Sequence, residues 1–261
     1  MSHQRLQVRY KSWFRILLTP VLLVVAWHFL AQSGLFSSYL LPAPSTVLKS
    51  FINLVQTGVL SKHIVASLSR VLSGFFISCV AGILLAGLLT YSTVMKDLFT
   101  APLTFFRMIP PLAMIPLLML WLGIGNATQL SIIILASFFP IFLNAQAGFK
   151  RVTPQQQELA KSLSLPAGKY VTHIVLPAAI PSIITGARLA FGYSWRALIG
   201  AELIAASSGL GYLIIDAQEL QRTDVVMVGI VVIGVIGWAL DSFFYHQTSH
   251  WLRRRFPEVA Q

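Results

Sequence analysis

Residues 153–177 read TPQQQELAKSLSLPAGKYVTHIVLP, and Glu158–Pro177 within them form a polar island between two long apolar stretches of the chain. Thr153 precedes Pro154 and is followed three positions later by Gln156, a spacing typical of a capping box at the start of a helix. That helix must end before Pro166, because proline disfavours helical geometry in the residue before it. The island therefore begins with one short, capped helix.

A second short helix follows in the same island. Gly168 loosens the turn, and a helical stretch from Lys169 can run to Leu176, before Pro177. Two short helices joined by a tight bend, beside apolar segments, are typical of a docking element that another protein grips. We therefore predict a protein-docking surface here rather than a linker.

The composition identifies the solvent of most of the chain as a lipid bilayer. Of 261 residues, 56% are hydrophobic and 10% are charged, against about 25% charged in an ordinary soluble domain. A soluble fold of this size has no room to hide so much apolar surface. The net charge of +11 then indicates cytoplasmic loops rather than nucleic-acid binding. The single Cys79 cannot form an intrachain disulfide, and we expect a buried, inert thiol.

Six segments are near the roughly 20 residues that a bilayer core requires. We predict an all-α, polytopic membrane protein with about six transmembrane helices, forming one membrane domain over residues 1–261. The third segment is interrupted by Pro110, Pro111 and Pro116. The predicted spans are Trp13–Gln32, Val71–Tyr91, Leu98–Leu122, Leu130–Ala147, Ile180–Ala206 and Val225–Phe244.

Basic residues fix the predicted orientation, with both termini in the cytoplasm. The first span is expected to be uncleaved, and Ser33–Lys62 is expected outside with a surface helix. Ser207–Ile215 is expected to form a turn and a short helix at the outer surface, with a hydrophobic re-entrant loop as the alternative. Twelve basic residues then lie inside and three outside. The inner set is Arg5, Arg9, Lys11, Arg15, Lys96, Lys150, Arg151, Lys161, Lys169, Arg253, Arg254 and Arg255; the outer set is Lys49, Lys62 and Arg222.

The island resembles the cytoplasmic loop of permease subunits in bacterial ATP-binding-cassette (ABC) importers. The family pattern is Glu-Ala-Ala, three residues, Gly, nine residues, then Ile-x-Leu-Pro. Two positions depart from it, Leu159 for alanine and Ser164 for glycine. Flanking segments resemble the branch that imports nitrate, sulfonates, taurine and bicarbonate: IPPLAMIPLLMLWLGIG (109–125) and ARLAFGYSWRALIGAELIAASSGLGYLI (187–214). The matching positions of the loop are Glu158, Ala160, Ile174, Leu176 and Pro177.

The resemblance implies a type I ABC importer permease fold with a cytoplasmic coupling loop at about 148–179. It also implies two separate ATPase subunits, an extracytoplasmic solute-binding protein and a homodimer of permeases in the bacterial inner (plasma) membrane, with a heterodimer left open. Three leucines would sit in the ATPase groove, Glu158 would cap or pair at its rim, and two serines would set the bend. The coupling residues are Glu158, Leu159, Ala160, Ser162, Leu163, Ser164 and Leu165.

Candidates for the translocation path are charged or helix-breaking residues within the predicted spans. Freed carbonyls near Pro110 and Pro111 cannot be satisfied by lipid, so the segment faces protein or a water-lined path; a packed kink is the alternative. Arg107 or Arg196 would give the path a positive lining suited to an anion, and Glu202 is the third charged candidate. Interhelical ion pairs that hold the fold are an equally weighted alternative.

Other membrane-depth residues have structural interpretations. Arg70 is expected to extend to the outer edge. The four small residues Gly74, Ser78, Gly82 and Ala86 recur every fourth position, which permits close helix packing within the subunit or, alternatively, at a dimer seam.

The sequence has no motif for chemistry of its own. It lacks the G-x-x-x-x-G-K-[ST] phosphate loop, a metal-ligand cluster, a G-x-S-x-G motif and paired carboxylates. We therefore expect no cofactor, no enzymatic activity and an energy source in another chain. The rival interpretations are an ATP-independent channel or secondary carrier, which leaves the island unexplained, and an intramembrane enzyme. A sulfonate such as taurine, nitrate, bicarbonate, an aromatic acid and a neutral vitamin precursor all remain candidate solutes.

Overall fold

The computed structural model describes residues 18–255, apart from the side chain of Arg253. All regular secondary structure in this range is helical. The bounds are α1 Leu18–Gln32, α2 Pro44–Gln56, α3 Val59–Tyr91, α4 Thr93–Arg107, a 3-10 turn Pro111–Met114, α5 Ile115–Leu122, α6 Asn126–Phe149, α7 Pro154–Ser162, α8 Ala167–Tyr170, a π-helical turn Val171–Val175, α9 Leu176–Ala205, α10 Leu210–Glu219 and α11 Thr223–Arg255.

The chain divides into two compact units. In the described part of the chain, the smaller unit comprises residues 18–61 with Leu213–Val232. Within its described part, the Trp27 indole N–H donates to the Pro42 carbonyl over 3.1 Å, and the Ser50 hydroxyl donates to the Asp224 carboxylate. These two bonds tie α1 to the segment before α2, and α2 to the start of α11.

The larger unit comprises Lys62–Tyr212 with residues 233–255 among those described, and α3, α6 and α9 form its centre. Small residues let α3 and α6 approach closely, since a Cβ on Gly74 would lie 2.6 Å from Ile133 Cγ2. One turn further along, the Ser78 and Ser137 hydroxyl oxygens are 2.8 Å apart. The predicted close packing of the small-residue face within the subunit is therefore confirmed.

Two apolar clusters fill the larger unit. One joins α3, α6 and the start of α9 through Leu89, Phe142, Phe149 and Ala179. The other joins α5, α6 and the far end of α9 through residues such as Ile132 and Ala201. The first cluster supports the polar island, and the second supports the proline-broken segment.

Four helical segments among residues 18–255 are long and apolar enough to cross a membrane, or five if the broken pair α4 and 111–122 counts as one span. The two helices of that pair meet at 91°, so the third predicted span, Leu98–Leu122, is sharply bent rather than continuous. The first predicted span, Trp13–Gln32, begins outside the described residues. The spans predicted at Val71–Tyr91, Leu130–Ala147, Ile180–Ala206 and Val225–Phe244 all correspond to long apolar helices.

The second short helix of the island does not end before Pro177, and this prediction is wrong. Helix α8 runs through the π-helical turn Val171–Val175 directly into α9, with Pro177 in the first turn of α9. A π-helical turn is wider than an α-helical one, which accommodates the proline ring and its missing N–H. The end of the island thus continues as helix, without a break, into the 30-residue α9.

Candidate functional site

The polar island begins with the predicted capped helix. The Thr153 N–H donates to the Gln156 side-chain oxygen over 3.0 Å, and the Gln156 N–H donates to the Thr153 hydroxyl over 3.3 Å. Both halves of the capping box are therefore present, and Pro154 occupies the first turn. Residues near the start of α7 therefore fix where the helix begins, because the capping box provides acceptors for two backbone N–H groups that have no partner within the helix.

A left-handed residue ends α7. Ser164 has φ of 47°, and the Leu165 N–H donates to the Ala160 carbonyl over 3.0 Å. This is the geometry in which glycine is the usual residue. Serine at the family's glycine position therefore keeps the bend, at a cost of about 1 kcal/mol for its left-handed backbone.

The predicted coupling residues fall into an anchored set and an exposed set. Ala160 is buried, and Leu165, which was expected in the ATPase groove with Leu159 and Leu163, is half-buried instead. Both line a cavity of about 700 Å³ with Tyr91 and Phe149. Leu159 and Leu163 are 56% and 61% exposed. Glu158, Ser162 and Ser164 are also exposed. A polar helix that is anchored on one side and carries two exposed leucines on the other fits a partner groove.

Two candidate path arginines share one cavity. Arg107, Pro111 and Arg196 line a space of about 480 Å³. Pro110 lies at the break directly before the 3-10 turn. Apolar side chains form most of the remaining wall: Phe106, Ile109, Leu112, Met114, Leu135, Phe139 and Leu143.

Among residues 18–255, neither arginine of this cavity has a countercharge. Arg107 and Arg196 are exposed, and no hydrogen bond or ion pair holds either guanidinium within the described part of the chain. A low-dielectric wall around two unpaired cations concentrates positive potential. The arrangement is chemically suited to attract an anion.

Glu202 lies apart from this pair and forms an ion pair with Arg70. Arg70 Nη1 is 2.8 Å from Glu202 Oε1, and the two residues are 8% and 1% exposed. The expectation that Arg70 extends to the outer edge is wrong, because its side chain is buried in the ion pair with Glu202. This pairing supports the alternative interpretation of Glu202, an interhelical ion pair.

Ser67, Asn126 and Ser208 also contact this ion pair, and sequence reasoning missed them. One signal was available: Ser67 and Arg70 stand three residues apart and so share a helix face. Asn126 and Ser208 lie at helix ends far along the chain, and only tertiary structure brings them to Arg70.

Arg188 has an aromatic partner, since its guanidinium carbon lies 4.2 Å from the centre of the Tyr245 ring. This cation–π contact joins α9 to α11.

Across residues 18–255, no group of three or more His, Cys, Asp or Glu side chains is placed to hold a metal ion.

Sequence comparisons give consistent matches. A family model described as "Binding-protein-dependent transport system inner membrane component" matches residues 78–255. SsuC of Bacillus subtilis (strain 168), named as an aliphatic sulfonates transport permease protein, is 34% identical over 89% of this chain and 84% of its own length. The taurine transport system permease protein TauC of Escherichia coli (strain K12) is 34% identical over 85% of this chain and 83% of its own.

A solved structure has a similar helical arrangement. A chain of the MetNI methionine ABC transporter, crystallised in inward-facing conformations, matches with a TM-score of 0.56 and 16% identity. The match covers 72% of this chain and 95% of that one. At this identity the likeness concerns the fold alone.

Proposed function

The chain belongs to the family of binding-protein-dependent transport system inner membrane components, and from that premise we propose that it lines the path of an importer that separate ATPases drive. The family and the helical structure confirm the predicted all-α permease fold. A permease of this family is a transport component, so the energy for solute movement would come from partner subunits.

The observation that carries the coupling proposal is the division of residues 158–165 between anchor and exposed face. Ala160 and Leu165 would hold α7 against the permease, while Leu159 and Leu163 would enter a groove on the ATPase. Glu158 would interact with the rim of that groove. Closure of an ATPase dimer on ATP would displace α7, and the continuous path through α8 and the π-helical turn would carry the displacement into α9.

The subunit's surroundings follow from the same proposal. Two ATPases would bind at the cytoplasmic face, a soluble binding protein would deliver solute outside, and two permease copies would enclose the path. Both termini would lie in the cytoplasm, as the twelve inner basic residues predict.

The solute would be a small anion, such as a sulfonate, taurine or nitrate-like ion. Two observations support this class: the unpaired Arg107 and Arg196 on one cavity, and relatives named for sulfonate and taurine transport. The mixed wall of arginine and apolar side chains would exchange hydration of the anion for guanidinium contacts.

A charge reversal at Glu158 tests the coupling. In the reconstituted importer, Glu158→Lys should abolish solute-stimulated ATPase activity while membrane insertion stays intact. Asp97→Lys is the matched control, because Asp97 is an exposed acid at the start of α4, predicted on the same side of the membrane. Normal solute stimulation in Glu158→Lys would contradict the proposed role of the island.

Neutralising the arginines tests the anion path. Arg107→Gln and Arg196→Gln should each reduce anion uptake at least about tenfold, since a lost charge-assisted hydrogen bond contributes about 1.5–3 kcal/mol. Arg254→Gln, at the exposed end of α11, should leave uptake unchanged. Unchanged uptake in both cavity variants would remove the anion proposal, and flux in liposomes without ATP would favour a channel or carrier instead.

A further inference from the structure

The first turn of α10 is held by side chains from other helices. Three consecutive backbone N–H groups donate to them: Gly209 to His63 Nδ1 over 3.0 Å, Leu210 to Ser67 Oγ over 2.9 Å, and Gly211 to Glu202 Oε2 over 3.0 Å. All three bonds are buried. These N–H groups are orphan donors at a helix start, so side chains of α3 and α9 cap three donors at the start of α10.

Arg70 closes the same network from the opposite side. Its Nη1 donates to Glu202 Oε1 over 2.8 Å and to the Ser208 carbonyl over 2.6 Å, and its Nη2 donates to the Ser208 hydroxyl over 2.7 Å. Its Nε donates to Asn126 Oδ1 over 2.8 Å. A guanidinium has five N–H donors, and four are used here. Arg70 is therefore committed to holding helix ends together and has little capacity left for a solute anion.

The two glycines of this turn pack tightly against Glu202 and its carboxylate. Gly209 has φ of +120°, and a Cβ there would lie 2.2 Å from Glu202 Oε1. A Cβ on Gly211 would lie 2.6 Å from Glu202 Cβ. Only glycine at these two positions lets the backbone sit directly on the buried carboxylate. The segment Ser207-Ser208-Gly209-Leu210-Gly211 is thus shaped around Glu202.

Helix α9 connects this network to the polar island. It begins at Leu176, immediately after the π-helical turn, and carries Glu202 in its last turn. At a rise of roughly 1.5 Å per residue, Glu202 stands about 39 Å along the helix from Leu176. A displacement that enters α9 at the island therefore reaches the network at the opposite end.

We propose that Ser67, Arg70 and Glu202 are positioning residues that make the ends of α3, α6 and α9 and the first turn of α10 one rigid joint. The proposal rests on the proposed function, because the displacement that it transmits is the one the ATPases would generate. The joint stays closed throughout transport and passes the movement of α9 to the first turn of α10. Shape change is taken up elsewhere, at the break between α4 and α5.

Hydrogen exchange on the assembled importer in nanodiscs measures the joint directly. In the unmodified complex, residues 205–212 should exchange equally slowly in the resting state and in the ATP-trapped state. Ser67→Ala removes the acceptor of the Leu210 N–H and a donor to Glu202. It should raise exchange at 209–211 about fivefold, the central value for one net hydrogen bond. Ser73→Ala, an exposed serine on the same helix, should change nothing.

Transport per ATP separates positioning from plain stability. If Ser67 positions the turn, Ser67→Ala should lower the number of solute molecules transported per ATP at least about threefold, since one net hydrogen bond corresponds to a factor of about 2 to 13. Basal ATP hydrolysis and hydrogen exchange of the other helices should stay unchanged. A purely structural role would instead raise exchange in all helices and leave the ratio of solute to ATP unaltered, because surviving complexes would work normally.

Two results would refute the proposed joint, and a third would refute the proposed function instead. Loss of protection at 205–212 in the ATP-trapped state would show that the joint opens, and a normal solute-to-ATP ratio in Ser67→Ala would show that it does not position transport. Each refutes the joint. Absence of ATP-driven uptake in the unmodified complex would refute the proposed function instead, while the resting exchange of Ser67→Ala would still decide whether these contacts fix the turn.

Discussion

Truncation of the two exposed leucines of α7 should weaken ATPase binding without harming the permease fold. Leu159 and Leu163 are 56% and 61% exposed, so alanine at either position removes little buried surface. Full burial of a leucine side chain contributes about 1.5–3 kcal/mol. Covering the exposed part in a partner groove would then contribute about 1 kcal/mol for each residue. Each single substitution should raise the Kd for the ATPase about fivefold, and the double variant about 30-fold.

The assay is equilibrium binding of purified ATPase to the permease in nanodiscs, with thermal unfolding measured in parallel. Leu220→Ala is the matched control, because Leu220 is 64% exposed and lies beyond α10 on the predicted outer side. Its Kd should equal that of the unmodified chain, and all variants should unfold within a few degrees of each other. Wild-type affinity in the double variant would refute the groove assignment, and a large loss of thermal stability would show that these leucines support the fold instead.

Three further substitutions probe the packing and the bend. Gly74→Ala places a Cβ 2.6 Å from Ile133 Cγ2 and should lower the free energy of unfolding by about 1–3 kcal/mol through overpacking. Gly192→Ala is the control, because no atom lies within 4 Å of the added Cβ, and it should cause no overpacking. Equal unfolding temperatures of the two variants would contradict the close packing. Ser164→Gly should preserve coupling, and Ser164→Val should impair it by opposing the left-handed backbone, as solute-stimulated ATP hydrolysis would report. Thr153→Ala should cost about 1 kcal/mol of helix stability, seen as faster hydrogen exchange over 154–163 only; unchanged exchange there would exclude the cap as a stabilising element.

Local chemistry made the polar island predictable from sequence. The capping box at Thr153 and Gln156 depends on residues three apart, and α7 ends at Ser162, before Pro166 as predicted. The same local rules failed at Pro177, because the π-helical turn before it depends on how α8 meets α9. A proline in an apolar span marks a break but does not give its angle, so the 91° bend after Arg107 was also beyond reach.

The charged residues at membrane depth show a different limit. Arg107 and Arg196 are 89 positions apart, and the sequence marks them by their cost in lipid rather than by any expected contact. The structure brings both to one cavity. The sequence marks Glu202 by the same cost, yet Glu202 pairs with Arg70. Composition and hydropathy identify which charges need a partner, but only tertiary packing decides whether the partner is protein or solute.

The most direct test of the central claim is a gentle detergent pull-down of the tagged chain from its native membrane, with stoichiometric mass spectrometry of the proteins that accompany it. The account predicts a P-loop ATPase at one copy per permease. Recovery of the chain alone, still catalysing solute flux in liposomes without ATP, would contradict it and assign the chain to a channel or carrier.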